Sequence, residues 1–396
     1  MHDAVVVGAG ISGLTAAHRL AAAGAGVVVL EGGSRVGGRV WTPAGPGERW
    51  EAGGEAVDLA NTRLRALADE VGAALRRSEV GWGDHGPAPV EWHVAGRAGP
   101  PDAPGYRGLL AELIRRGASS EADDRFTVAE WMARAGAGMF DLAVAETAVS
   151  VTASTVPVKR MSLHALAVKT AARSGVGDGA ELRFADGAGG FAERLAAALG
   201  DRVRLRSAAS AVRQRPGGVE VEAGAARVRA RRAIVAVPLH ARMRIHGLPA
   251  VPAGSYGVAA KSLIELADDL PAEPTAVLTD TALGYAYRRD ARSLGSFVGS
   301  TPAAWLLGTG RRRGDAAVAE AVRRCFGVRV SRITRVAYPR SYLIFEPGEL
   351  RGWGAHLGDP AGLVHFAGAE ASELPSFMEG AVRAGERAAA EVRAAR

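Results

Sequence analysis

The chain has 396 residues, a net charge of +7 and a pI of about 10.0. With 48% hydrophobic and 23% charged residues, it has the make-up of a globular protein large enough for two domains or one domain with a large insertion. The basic excess does not read as a nucleic-acid surface, because the densest runs, Arg231–Arg232 and Arg311–Arg313, are short and lack interleaved aromatics.

Residues Asp3–Val7 form a β-branched run closed by glycines, as buried parallel strands do. Ile11–Ala23 predicts an alanine-rich helix and Val27–Leu30 a second buried strand, so the chain opens β-α-β. Gly32–Val57 is glycine-rich and irregular, Thr62–Val71 is helical, and Gly81–Gly105 reads as loop or weak strands. Tyr106–Arg173 carries apolar residues at helical spacing, as at Leu109, Leu110, Leu113 and Ile114. A helix over Gly189–Leu199 precedes strand-like runs at Val203–Arg206, Val219–Glu222 and Ala233–Val237, the last ending at Pro238. Gly257–Leu266, Ser296–Gly299 and Ile333–Tyr338 are further strands, with a helix over Ala316–Phe326. The end reads strand (Val364–Ala367), loop, helix (Glu379–Val392). With no repeat and no low-complexity linker, two domains are expected to be interleaved in sequence.

No apolar run approaches the roughly 20 residues that cross a bilayer. The N-terminus enters a strand without a basic, cleavable leader. The single cysteine, Cys325, leaves no disulfide framework and suits a reducing, cytoplasmic setting; within its helix it reads as a buried small hydrophobe. No metal site is expected, since His85, His93, His164, His240, His246, His356 and His365 show no ligand spacing. Lysine is scarce: only Lys159, Lys169 and Lys261 stand among 49 basic residues.

Gly8-Ala9-Gly10-Ile11-Ser12-Gly13 follows a strand and opens a helix. Gly8 permits the tight turn, Gly10 lets backbone approach a pyrophosphate, and Gly13 lets helix and strand pack closely. The helix N-terminus, at Ile11 and Ser12, offers free N–H groups to the phosphates. Glu31 lies 18 residues past Gly13, at the end of the second strand, where a carboxylate accepts ribose hydroxyls and disfavours a 2′-phosphate. A second cradle follows directly: Gly32, Arg35, Gly37, Gly38 and Arg39 bring glycines for close backbone approach and two arginines for pyrophosphate. An NAD site needs no such cradle, so the expectation is FAD.

These residues resemble the flavin amine oxidase family of monoamine, polyamine and L-amino-acid oxidases. The resemblance spans VVVGAGISGLTAAHRL, VLEGGSRVGGRVWT, Gly53–Gly54 within WEAGGEAVD, and HFAGAEASELPSFMEGAVRAGERAA. It implies an α/β fold. A Rossmann-like FAD-binding domain of the glutathione-reductase type (1–62, 183–243 and 341–396) would interleave with a mixed α+β substrate-binding domain (63–182 and 244–340). Val212 and Ile234–Pro238 resemble the strand and turn beside the adenine, and Val212, Val237 and Pro238 would contact the cofactor. Gly53, Gly54, Glu55, Trp353, Gly368, Ala369, Glu370, Phe377, Met378 and Ala381 would contact the cofactor. On physical grounds Glu370 can accept from a ribityl hydroxyl, and the helix starting at Met378–Ala381 would face the N1/C2=O edge and stabilise anionic reduced flavin.

The resemblance also implies the chemistry. Lys261 interrupts an apolar strand where the family keeps a lysine near flavin N5, and a lysine, unlike an arginine, can release its proton. Tyr342 and Phe377 would flank the substrate amine, with Phe377 standing where a tyrosine is usual. Ser341 stands where monoamine oxidases tether their flavin through a cysteine, so the FAD is expected to be non-covalent. Asp58, and with it Glu55, would bind a cationic amine at the entrance; Ala56 stands where amino-acid oxidases place a carboxylate-binding arginine. The partners expected are an amine-containing (or amide-containing) small molecule and O2, with no nucleic acid and no membrane span; a homodimer is left open. The reaction expected is hydride removal next to nitrogen, giving an imine and H2O2. A C–C desaturase of the protoporphyrinogen oxidase or carotene desaturase kind, or a non-catalytic flavin-binding protein, are the alternatives. Lys261 and the FMEGA segment favour amine oxidation.

Overall fold

A computed structural model describes residues 1–43, 49–78, 90–99, 102–117, 119, 123–171, 181–252, 254–372, 374 and 376–395. The valine-rich runs become a parallel sheet covered on both faces. Its strands run in the order Val203–Arg204, Val27–Leu30, His2–Val7, Ala226–Val235, with Val364–Phe366 beside the end of the last. Val27–Leu30 is buried at all four positions, which is why it reads as unbroken apolar sequence. Ala209–Arg215 and Gly218–Ala223 add an antiparallel meander to the first half of Ala226–Val235.

The helix Ile11–Ala22 lies on this sheet against the last helix, Met378–Ala394. A Cβ on Gly385 would strike the Ser12 carbonyl, so the two helices touch backbone to backbone there. Arg19 pairs with Glu386 at 3.0 Å along the same contact.

A second, mainly antiparallel sheet runs Val330–Tyr338, Ala259–Leu266, Ser293–Gly299, Tyr285–Asp290, Ala276–Thr279, Val90–Val94, Arg97–Ala98. One pairing in it is parallel, between Ala276–Thr279 and Val90–Val94. The strands Ala276–Thr279 and Tyr285–Asp290 are additions to the sequence reading. Tyr285–Asp290 escapes a periodicity search because its second half is Arg288-Arg289-Asp290, which leaves the core. Of the loop or weak strands expected over 81–105, the described part holds a short hairpin, Val90–Val94 with Arg97–Ala98, and the start of the helix Pro104–Gly117; 81–89 and 100–101 lie outside the described residues.

The long helical stretch divides into Pro104–Gly117, Val128–Arg134, Met139–Ala145 and Leu163–Ala171, with a π-helical segment, Glu146–Ser154, between the last two. Residues 118, 120–122 and 172–173 of that expectation lie outside the described residues. Local chemistry sets the breaks. Thr127 and Glu130 form a reciprocal cap at the start of one helix, and Thr155 closes the π-helical segment in the left-handed region, at φ 61°. Cys325 is half-buried, packed beside the core under the second sheet, and burial pushes its thiol up to about 11.

Candidate active site

A cleft of about 590 Å³ runs between the two sheets. Its floor is two glycine loops. In the first, Gly8 adopts φ 102° at the end of its strand, and Gly10 has open space where a Cβ would stand. In the second, Gly37 and Gly38 take φ 94° and 59°, and Gly37 donates its N–H to the Ala9 carbonyl at 2.8 Å. The loops therefore dock on one another. Glu31 joins them, accepting from the Ala9 N–H at 2.8 Å and from the Gly33 N–H at 2.7 Å. Gly8, Gly10, Ile11, Ser12, Glu31 and Gly32 all line the cleft. Open backbone, a helix N-terminus and a fixed carboxylate fit a dinucleotide, with the cleft in the ordinary size range of cofactor sites.

The C-terminal segment closes the cleft from the other side. Gly368, at φ 109°, donates to Ser12 Oγ at 2.8 Å. Arg39 lines the cleft and pairs with Glu370 at 2.8 Å; burial opposes its charge, but Glu370 holds the guanidinium above its ordinary value. Arg39 thus bridges the second loop and the C-terminal segment. Ala369, Met378 and Ala381 line the wall, with Val237 and Pro238 opposite. The neighbouring Glu379 does not face the cleft chemistry. It is buried and caps another helix, accepting from the Leu64 N–H at 2.8 Å. Gly380 is required there because a Cβ would strike the Leu374 carbonyl.

Lys261 and Ala259 point from one face of their strand into the cleft. Lys261 stands between Phe297 and Val336 on the flanking strands. Its Nζ donates to the Gly53 carbonyl at 2.9 Å and pairs with Glu55 at 3.1 Å. Behind Glu55 stand Arg183 at 3.5 Å and the Tyr287 hydroxyl, which donates at 3.1 Å. Burial alone would push the Glu55 carboxyl up, yet Lys261 and Arg183, helped by these hydrogen bonds, hold it below the carboxylate range. Burial first, and then the Glu55 charge, push the Tyr287 hydroxyl well up. Glu55 is therefore not placed as an entrance for a cationic amine: its side chain is 1% exposed and already faces two cations. Asp58 lines the cleft, as do Gly53, Gly54, Glu55 and Ala56.

Tyr342 and Phe377 both line the cleft, brought together from the loop just before the short strand Leu343–Ile344 and from the N-cap of the last helix. Lys169, on the helix Leu163–Ala171, holds its Nζ 4.9 Å from the Tyr342 ring centroid and 5.4 Å from that of Phe377.

Five expected cofactor residues lie away from the cleft lining, Glu370, which reaches it only through its pair with Arg39, among them. Gly13 does its work in packing, since a Cβ there would strike the Gly8 carbonyl. Arg35 turns into its own loop, donating to the carbonyls of Val36, Val40 and Gly38, and stacks over Trp41 at 5.0 Å. Val212 is fully buried on its strand; Ile245 and Arg244 line the cleft near it. Trp353 packs 5.4 Å from Phe345 in a separate small core. Residues the sequence reading did not single out also reach the cleft, among them Lys169, Phe297 and Tyr338. Tyr338 donates to the Ala52 carbonyl at 2.7 Å, and burial pushes its hydroxyl up to about 12. Lysine scarcity was the signal that could have found Lys169. Among the described residues, no cluster of three or more His, Cys, Asp or Glu is arranged for a metal, and no helix is long and apolar enough to cross a membrane.

Paired glycine loops under a parallel sheet, facing a second sheet that carries a buried lysine, define a flavin-dependent oxidoreductase. The chain belongs to the family of flavin containing amine oxidoreductases, whose model matches residues 11–393. It is an FAD-dependent enzyme of the amine oxidase type. The flavin-containing amine oxidase of Danio rerio is 28% identical over 99% of this chain and 85% of its own length. The structure of cyclohexylamine oxidase from Brevibacterium oxydans IH-35A superposes with a TM-score of 0.84 at 25% identity, covering 100% of both chains. Putrescine oxidase bound to putrescine gives a TM-score of 0.85 at 24% identity, covering 99% of both chains, a likeness of fold.

Proposed function

We propose that the protein oxidises the carbon next to an amine (or amide) nitrogen, removing a hydride equivalent to leave an imine, with O2 reduced to H2O2. The observation that carries this reading is the convergence of Lys261, Tyr342 and Phe377 on the cleft that holds both glycine loops. When bound, the flavin supplies the two-electron acceptor for the C–H bond and the donor to O2.

The chain's own residues do the rest. The glycine loops and the N-terminus of Ile11–Ala22 would hold the pyrophosphate, and Glu31 a ribose. The N-terminus of Met378–Ala394 would favour negative charge on the ring system. Tyr342 and Phe377 offer apolar faces that orient the carbon beside nitrogen and exclude water. Lys261 holds a proton at Nζ, anchored by Gly53 and Glu55, where it can order water beside the reacting centre. The cofactor would be FAD held without a covalent bond, since Ser341 stands at the tether position and its hydroxyl is bonded to Thr155 at 2.8 Å. In this reading the chain divides into an FAD-binding part, 1–62, 183–243 and 341–396, and a substrate-binding part, 63–182 and 244–340.

The test is anaerobic bleaching of the flavin by a panel of amines, followed by H2O2 release on admitting air. Lys261→Met is expected to slow flavin reoxidation or turnover by orders of magnitude. A Lys261→Met enzyme turning over at the wild-type rate would remove Lys261 from the mechanism, and a flavin that no amine bleaches would remove the reading.

A further inference from the structure

FAD brings a diphosphate, and the two arginines that follow the ribose-binding strand are both engaged. Arg35 gives its guanidinium to three carbonyls of its own loop. Arg39 lines the cleft but is paired with Glu370 at 2.8 Å, so the two together are close to neutral. The first glycine loop adds the partial charge of a helix N-terminus, about half an elementary charge. Glu31 lines the cleft at the same end and is an acid. These groups alone leave the charge of a diphosphate largely unmatched.

Arg244 alters that balance. It lines the cleft, and among the described residues its guanidinium makes no hydrogen bond or ion pair. Its place follows from the segment that carries it. A Cβ on Gly8 would stand 3.0 Å from Val237, so the segment starts beside the first glycine loop. Two residues past Arg244, the His246 N–H donates to the Ser210 carbonyl at 3.1 Å, and the Val212 N–H donates back to the His246 carbonyl at 2.8 Å. That strand leads back to Ala208, which a Cβ on Gly32 would meet at 3.2 Å. Arg244 is thus carried between the first glycine loop and the residue after Glu31. The two lysines of the cleft are placed elsewhere, Lys261 against Glu55 and Lys169 over the rings of Tyr342 and Phe377.

We infer that Arg244 is the cation that holds the diphosphate of FAD, and that it sets how tightly and how salt-sensitively the cofactor is retained. The inference rests on the FAD site alone and is independent of which bond the enzyme oxidises. A guanidinium fork matches phosphate oxygens in pairs, and such charge-assisted contacts are among the stronger hydrogen bonds. Arg244 is exposed, so salt screens its contact, which gives the role a signature that packing alone lacks.

The experiment follows flavin fluorescence as the loaded enzyme is diluted, giving the Kd for FAD in the wild type, Arg244→Gln, Arg244→Lys and Arg312→Gln. Arg312 is exposed on the helix Arg311–Phe326, off the cleft lining, and controls for loss of one positive charge anywhere. Each is measured at about 0.01 M and about 1 M salt, between which the screening length falls from about 30 Å to about 3 Å. At low salt Arg244→Gln should weaken FAD about tenfold, and at high salt the gap should close to about twofold or less. Arg244→Lys should recover most of the loss, and Arg312→Gln should match the wild type. ADP, measured as a competitor of FAD, keeps the diphosphate without the flavin and should weaken by the same factor in Arg244→Gln. An Arg244→Gln enzyme within about twofold of wild type at low salt overturns the inference, as does an equal loss in Arg312→Gln. A loss that salt does not reduce, or that lysine does not recover, would make Arg244 a packing or adenine-stacking residue and overturn it too. A loss seen with FAD but not with ADP would move Arg244 to the flavin end and refute its diphosphate role.

Discussion

Glu55→Gln offers the sharpest test of how the cleft is held together. The substitution keeps the shape and removes the charge between Lys261 and Arg183. At 3.1 Å and an effective dielectric of about 20, the Lys261–Glu55 attraction is about 5 kcal/mol, and Arg183 at 3.5 Å contributes slightly less. Desolvation of three buried groups offsets much of this, and removing one partner of a buried pair costs a net of about 3–5 kcal/mol. Urea unfolding of the flavin-loaded enzyme at about pH 7 should show that loss. Its pH dependence follows from the lowered pKa of Glu55. A carboxyl whose folded pKa is depressed contributes stability that is complete above its unfolded value of about 4.3 and is lost as pH falls through the folded value. The gap between wild type and Glu55→Gln should therefore be constant from about pH 6 to 8 and narrow below about pH 4. A gap under about 1 kcal/mol at neutral pH, or one that widens in acid, would refute the charge network as described.

Two further outcomes concern the cofactor. Glu31→Gln should weaken flavin retention by tenfold or more, about 1.4 kcal/mol or above, since it removes the charge that accepts from the Ala9 and Gly33 amides; flavin titration of the stripped protein reads it directly. Acid precipitation should leave all flavin in the supernatant, because Ser341 offers no thiol and Cys325 packs under the second sheet; yellow colour in the pellet would count against non-covalent binding.

The two glycine loops, Glu31 and the last helix were legible because each is a local pattern: a strand, a turn that only glycine can make, and a helix start. Lys261 was legible as a misfit in an apolar strand. What it touches was not. Glu55 looked like an entrance carboxylate because nothing near it in the chain reveals Arg183 or Tyr287, whose approach depends on how three separate segments pack. Arg35 looked like a phosphate ligand for a similar reason: its own loop curls so that three carbonyls converge on the guanidinium. Lys169 sits in an ordinary helical pattern, and only the approach of that helix to Tyr342 and Phe377 gives it meaning.

The parallel sheet receives Val364–Phe366 beside a strand more than a hundred residues earlier, and the last helix lies against the first. During synthesis, then, the opening β-α-β unit emerges long before the partner that covers it. Its helix Ile11–Ala22 finds its packing partner only after the helix Met378–Ala394 has left the ribosome. A cleft whose wall includes Gly368, Ala369, Met378 and Ala381 would accordingly be complete for flavin only once that segment has arrived.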